Sequence, residues 1–211
     1  MLERQFGEEA RRRVQDAVRR AEALSRGQIV PVVVEKSDPY PEARSRGAIF
    51  GAAIATFAVL ALRVPLAAAE LPLLQLAAGI AGALVARWDP IERLLAGRRA
   101  MDEAVRARAV RAFHEHGLHR TAEGTGVLVF ASLFEREAVV LGDHGIHARM
   151  SDDWRKAVDA LTAGLRAGDA ARGFVDAIAV CGARLAEHFP RDAASRPSPN
   201  ELEDAIRASK T

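Results

Sequence analysis

Three places in the chain hold chemically able side chains at short spacing. Glu35, Ser37 and Asp38 follow a run of β-branched residues, Asp143 and His144 sit between Gly142 and Gly145, and Asp152 and Asp153 stand where a helix should begin. Carboxylates with nearby hydroxyl or carbonyl oxygens suit a hard cation such as calcium or another divalent ion. Glu35, Asp38, Asp143 and Asp152 are therefore the predicted metal ligands, gathered by loops at strand ends. An ion held there would activate water against a phosphoester, so a metal-dependent phosphatase is the alternative reading of the chain. The same residues in Asp-Pro, Gly-Asp and Ser-Asp-Asp contexts are also ordinary turn and cap chemistry. His114, His116 and His119 lie in HEHGLH and offer imidazole, but His114 and His116 are two apart on a helix and face different directions. Cys181 is the one cysteine, which excludes a disulfide framework and a thiolate metal cluster and fits a reducing compartment. No P-loop, GxSxG or HExxH motif occurs, and GTGVLV precedes a strand where a phosphate-cradling loop would open a helix.

The elements that must position these residues follow from hydrophobic spacing. Phe6, Ala10, Val14, Ala17, Val18, Ala21 and Leu24 share one helical face, and Gly27 stops that helix. Residues 28–35 (QIVPVVVE) read as a strand buried on both faces, with Pro31 confined to an edge, a bulge or a position whose missing N–H points away from a neighbour. A helix is expected over 99–116, then two strands over 127–133 and 137–141 joined by a short turn, which pairs them antiparallel. Glu135 and Arg136 at that turn read as a solvated pair, and residues 146–149 as a further short strand. Ser151 and Asp169 are expected to cap the last two helices, Pro190 ends the second, and Ser198-Pro199 with Glu201 could open a short helix in a polar tail over 191–211.

Between the first strand and the helix over 99–116, residues 47–62 and 71–86 form two apolar runs without a charge. Each would reach about 24 Å as a helix, a little under the ~30 Å hydrocarbon core, so a transmembrane hairpin over 47–87 is expected. Gly47, Gly51 and Ala55 in one run and Gly79 and Ala83 in the other would let the two helices approach closely. Arg26, Lys36, Arg44 and Arg46 precede the first run, Arg87, Arg93, Arg98, Arg99 and Arg106 follow the second, and only Arg63 lies between. The positive-inside tendency then puts both flanks, and so both termini, on the cytoplasmic side of a bacterial-type plasma membrane. Tyr40, Arg44, Arg46, Arg87 and Trp88 are the predicted membrane-interface residues. The N-terminus lacks the apolar core of a signal peptide, which leaves targeting to the hairpin. A net charge of +2 is small. Aromatics are 5% of the chain with no basic stripe among them, which argues against nucleic acid.

The order of elements and three local signatures resemble the TPM domain family. The signatures are GQIVPVVVEKSDPYPEAR after the first helix, GLHRTAEGTGVLVFASLFEREAVVLGDHGI across the strand pair, and WRKAVDALTAGLRAGDAARGFVDAIAVCGARLAEHFP over the last two helices. The resemblance implies an α/β fold, a three-layer α/β/α sandwich with a mixed sheet, often tethered to a membrane, with a bound calcium ion or weak phosphatase activity in some members. Here the spans fall inside the domain, which would then comprise residues 1–46 and 88–190. The expected function is that of a membrane-anchored module that binds or assists membrane protein complexes, with the lipid bilayer and membrane proteins as partners, no nucleic acid, and oligomers an open option. Any enzyme activity would be at most a weak phosphatase, by resemblance alone.

Overall fold

The computed structural model describes residues 6–67, 69–121, 123–150, 154–191 and 207–209. It divides into one unit of Met1–Ser37 with Glu103–Thr211 and a second of Asp38–Asp102.

The first unit is built on a four-stranded mixed sheet of order β3-β2-β1-β4, with β1 Gln28–Val34, β2 Gly126–Ser132, β3 Glu137–Gly142 and β4 Arg207–Ser209. β1 lies parallel to β2 and to β4, and β3 runs antiparallel to β2. The expected hairpin therefore forms, and β4 is an addition from the stretch read as a polar tail. β4 pairs with Val32, Val33 and Val34, so Pro31 lies just before that ladder and its missing N–H costs β4 no bond.

β1 and β2 are buried on both faces, and alternate residues feed two cores. Ile29, Val33, Val127, Val129 and Ala131 face one core with α1 (Glu8–Ala23) and the helices here labelled α7 (Arg155–Ala167) and α8 (Ala170–His188). Val30, Val32, Val34, Leu128 and Phe130 face the other with Val105, Ala109, Ala112 and Phe113 of α5 (Arg98–Glu115). Helices on both sides of a mixed sheet make the α/β/α sandwich. Asp169 caps α8 as expected, accepting from the Arg172 N–H at 3.0 Å. Residues 146–149 are not a strand: they belong to a short helix, α6 (His144–Arg149), whose Ile146 is buried in the first core. The expected Ser151 cap and the helix start at 198–201 lie outside the described residues.

The second unit contains α2 (Pro41–Leu62), α3 (Glu70–Val85) and the short α4 (Asp89–Ala96). α2 and α3 pack side by side through glycine. A Cβ on Gly82 would stand 2.2 Å from the Gly47 carbonyl oxygen, and one on Gly51 would stand 2.2 Å from that of Ala78. Gly79, expected at this seam, is looser, with its nearest neighbour at 3.4 Å. The polar groups inside the hairpin satisfy one another: Gln75 Nε2 donates to Thr56 Oγ1 at 2.8 Å, and that hydroxyl donates to the Ala52 carbonyl at 2.9 Å. The outward faces are apolar, with Ile54, Phe57 and Leu60 each about 70% exposed. α2 has a mean hydropathy of 1.7 over its apolar window, of which 6% is buried, so its length and composition permit it to cross a membrane.

Candidate functional site

The strand ends of the first unit form two separate polar clusters. At the end where β1 and β2 finish, the chain stays zipped beyond the strands: Leu133 N–H donates to the Val34 carbonyl and Phe134 N–H to that of Glu35. Arg136 takes a left-handed conformation, φ 56°, which turns the backbone tightly enough to fold Glu135 inward. Glu135 is 7% exposed, so it is not the solvated residue its turn position suggested. One carboxylate oxygen accepts from the Ser37 N–H at 3.0 Å and the other from the Ser132 hydroxyl. The carboxylate thereby ties the loop after β1 to the turn between β2 and β3. Lys36 Nζ sits 4.3 Å from the centre of the Phe134 ring beside it.

The opposite end, where β1 and β2 begin and β3 finishes, holds Asp143. Its N–H donates to the Gly126 carbonyl at 2.9 Å, and its Oδ1 accepts from the His144 N–H at 2.7 Å while lying 3.0 Å from His144 Nδ1. Asp143 is 6% exposed, and its Oδ2 is buried without a hydrogen-bond partner among the described residues. The His144 ring lies over Gly124, φ 64°, where a Cβ would stand 2.5 Å from the ring. The loop of Gly124 is held to the chain before β1 by an Arg26–Glu123 ion pair at 3.1 Å and by the Thr125 hydroxyl donating to the Arg26 carbonyl. Next to it, a cleft of about 200 Å³ is lined by Arg19, Glu22, Arg26, Gln28 and Arg191.

This geometry does not bring the expected ligands together. Glu35 and Ser37 follow the end of β1, whereas Asp143 follows the end of antiparallel β3, which returns to where β1 begins. Seven strand residues separate the two ends by about 20 Å. Asp38 serves locally, its Oδ1 accepting from the Tyr40 N–H at 3.0 Å, and Asp152 lies outside the described residues. Among the described residues no three His, Cys, Asp or Glu side chains gather as a metal set. His114 and His119 do meet, ring centres 5.3 Å apart, but as a pair. Among the described residues the expected ligands therefore do not form a multi-carboxylate calcium cage. Cys181 is buried in the core, and burial pushes its thiol up to about 12, against a smaller lowering from Arg184, which excludes it as a nucleophile.

The interface residues divide as well. Arg44, Arg87 and Trp88 are exposed. Tyr40 is not at an interface: it is 1% exposed and stands at the start of α2 in a left-handed conformation, φ 45°, set by the Asp38 turn and by Pro41 after it. The Arg46 guanidinium donates to the Leu95 and Ala96 carbonyls and so closes the C-terminal end of α4.

An α/β/α sandwich with polar clusters at both strand ends and an apolar helical hairpin inserted after its first strand defines the class. A family model for the TPM domain matches residues 94–184. In fold the chain is similar to the BA42 protein of the psychrophilic bacterium Bizionia argentinensis, solved by NMR, at 21% identity and a TM-score of 0.58, over 96% of this chain and 94% of that one. No curated protein matches the sequence.

Proposed function

We propose that the chain is a membrane-tethered TPM module whose hairpin spans the plasma membrane, with both flanks cytoplasmic, so that the TPM domain binds or assists neighbouring membrane protein complexes. The observation that carries this reading is the outward face of the hairpin. Ile54, Phe57, Leu60, Leu73 and Leu76 are each more than 60% exposed, on helices whose only interior polar side chains, Thr56 and Gln75, bond to each other. In water such a surface would be a severe liability; in lipid it is the matched solvent. The arginine excess on both flanks supports the cytoplasmic orientation. The test is extraction of membranes with alkaline carbonate. The full chain is expected to stay in the pellet, and release into the supernatant sinks the reading.

A divalent cation, with or without phosphatase turnover, is the second reading, and one observation favours it: the buried, unpartnered Oδ2 of Asp143. A calcium titration followed by thermal melting separates the two. If a cation completes this carboxylate, calcium raises the melting temperature of the wild type and leaves Asp143→Asn unmoved. If the module is a tether alone, neither melts higher and no phosphomonoester turns over.

A further inference from the structure

α4 is amphipathic in the wrong sense for water. At 100° per residue Trp88, Ile91, Leu94 and Leu95 fall within about 120° of arc, a continuous apolar face. A helix on a soluble domain turns such a face inward. Here the helix buries Glu92 and Ala96, 4% and 2% exposed, and leaves Ile91 and Leu95 half-buried, while Trp88 and Leu94 are 67% and 79% exposed. Two features lock this orientation. Arg46 at the base of α2 ties down the Leu95 and Ala96 carbonyls, and α4 leaves the axis of α3 through a bend of 102°. Arg87 at the bend and Arg98 beyond the end of α4 are exposed.

The geometry points to α4 as a helix lying in the plane of the membrane surface, its Trp88–Leu94 face dipped below the headgroups and Arg87 and Arg98 engaging anionic phospholipid. The inference rests on the hairpin reading. A helix axis continuing α3 would run along the bilayer normal, and one turned by 102° runs along its surface. An exposed indole beside exposed leucine is the composition of such a surface, since the ring has an apolar body and a polar N–H and leucine enters the acyl boundary. Each arginine near an anionic headgroup adds attraction that neutral lipid does not give. Continuity with the apolar hairpin and the flanking positive charge select the bilayer over a protein as the occupant of this face.

The test places the full-length chain in vesicles of phosphatidylcholine alone or with phosphatidylglycerol, each doped with lipids brominated at shallow or deep acyl positions. Trp88 fluorescence is isolated by subtracting the Trp88→Phe variant, which leaves Trp154. Shallow bromines are expected to quench Trp88 about threefold more than deep ones, the depth of an interfacial helix. Leu94→Gln, at a position too exposed to disturb folding, should remove most of that quenching, and Arg87→Gln with Arg98→Gln should abolish the increment that phosphatidylglycerol gives. Trp88 left unquenched in a chain that still resists carbonate overturns the α4 inference and leaves the hairpin standing. Release by carbonate overturns both.

Discussion

Gly82→Ala is expected to pry the two long helices apart. The added methyl would stand 2.2 Å from the Gly47 carbonyl oxygen and 3.2 Å from the Gly51 Cα. Both are backbone atoms of a helix, so no side-chain rotation relieves the overlap, and the helices must separate. Overpacking of this kind costs about 1–3 kcal/mol, and if the pair lies in lipid as proposed, where close packing and hydrogen bonds supply most of the association, no hydrophobic term compensates. A disulfide reports the separation. A Cβ on Gly47 would lie 2.6 Å from that of Ala86 and 2.6 Å from the Gly82 carbonyl oxygen, so the Gly47→Cys, Ala86→Cys pair itself opens the seam by about 1 Å, into disulfide geometry, and is the parent against which Gly82→Ala is compared. The pair should oxidise readily in the parent chain and about tenfold more slowly with Gly82→Ala, the equivalent of about 1.4 kcal/mol. Gly79→Ala is the control, since its methyl meets nothing nearer than 3.4 Å and should change the rate by less than about twofold. Equal effects of the two substitutions would refute the seam through Gly82.

The second large effect belongs to Glu135. Its carboxylate is the common acceptor for the Ser37 N–H and the Ser132 hydroxyl, all inside the first unit. Glu135→Ala leaves two donors without a partner, and an unmade bond at a buried group costs about 1–3 kcal/mol each. A loss of about 3 kcal/mol lowers the melting temperature of a domain this size by about 10 °C. Glu135→Gln keeps one acceptor and should lose about half as much. Helical circular dichroism of the detergent-solubilised chain measures both, and a shift below about 2 °C for Glu135→Ala would return the residue to the solvated role its turn position suggests.

That pair of residues also marks where sequence reasoning worked and where it stopped. The pair of helices was legible because two uncharged apolar runs of sixteen residues flank a short loop, and the antiparallel pair because two β-branched runs met at a tight turn. The seam residue was not, since small residues fall every few positions and only the crossing point decides that Gly82, and not Gly79, is at closest approach. Glu135 was missed because a charged residue in a three-residue connection usually faces water. The one available signal was Ser132 three positions earlier, a hydroxyl that could bond back. Tyr40 was misread for a related reason: an amphipathic aromatic before a membrane run suggests an anchor, but Asp38-Pro39-Tyr40-Pro41 is turn chemistry that swings the ring inward. The expected ion site failed on topology. Carboxylates after β1 and after β3 seemed close as loop residues, yet an antiparallel neighbour ends where its partner begins.

One arrangement bears on how the protein is made. β1 and β2 are partners in a parallel ladder, yet α2, α3, α4 and α5 are synthesised between them. The ribosome therefore releases IVPVVV, an apolar strand that only its proline guards against self-pairing, long before its mate exists. Because Gly47 and Ala86 lie side by side, a finished hairpin takes about forty residues out of the loop between the two strands, and the entropic cost of joining them falls by about 0.5 kcal/mol. Formation of the helical hairpin thus becomes a step in closing the sheet, and a nascent chain in which it fails to form would hold β1 apart from its mate for longer, open to proteases and chaperones.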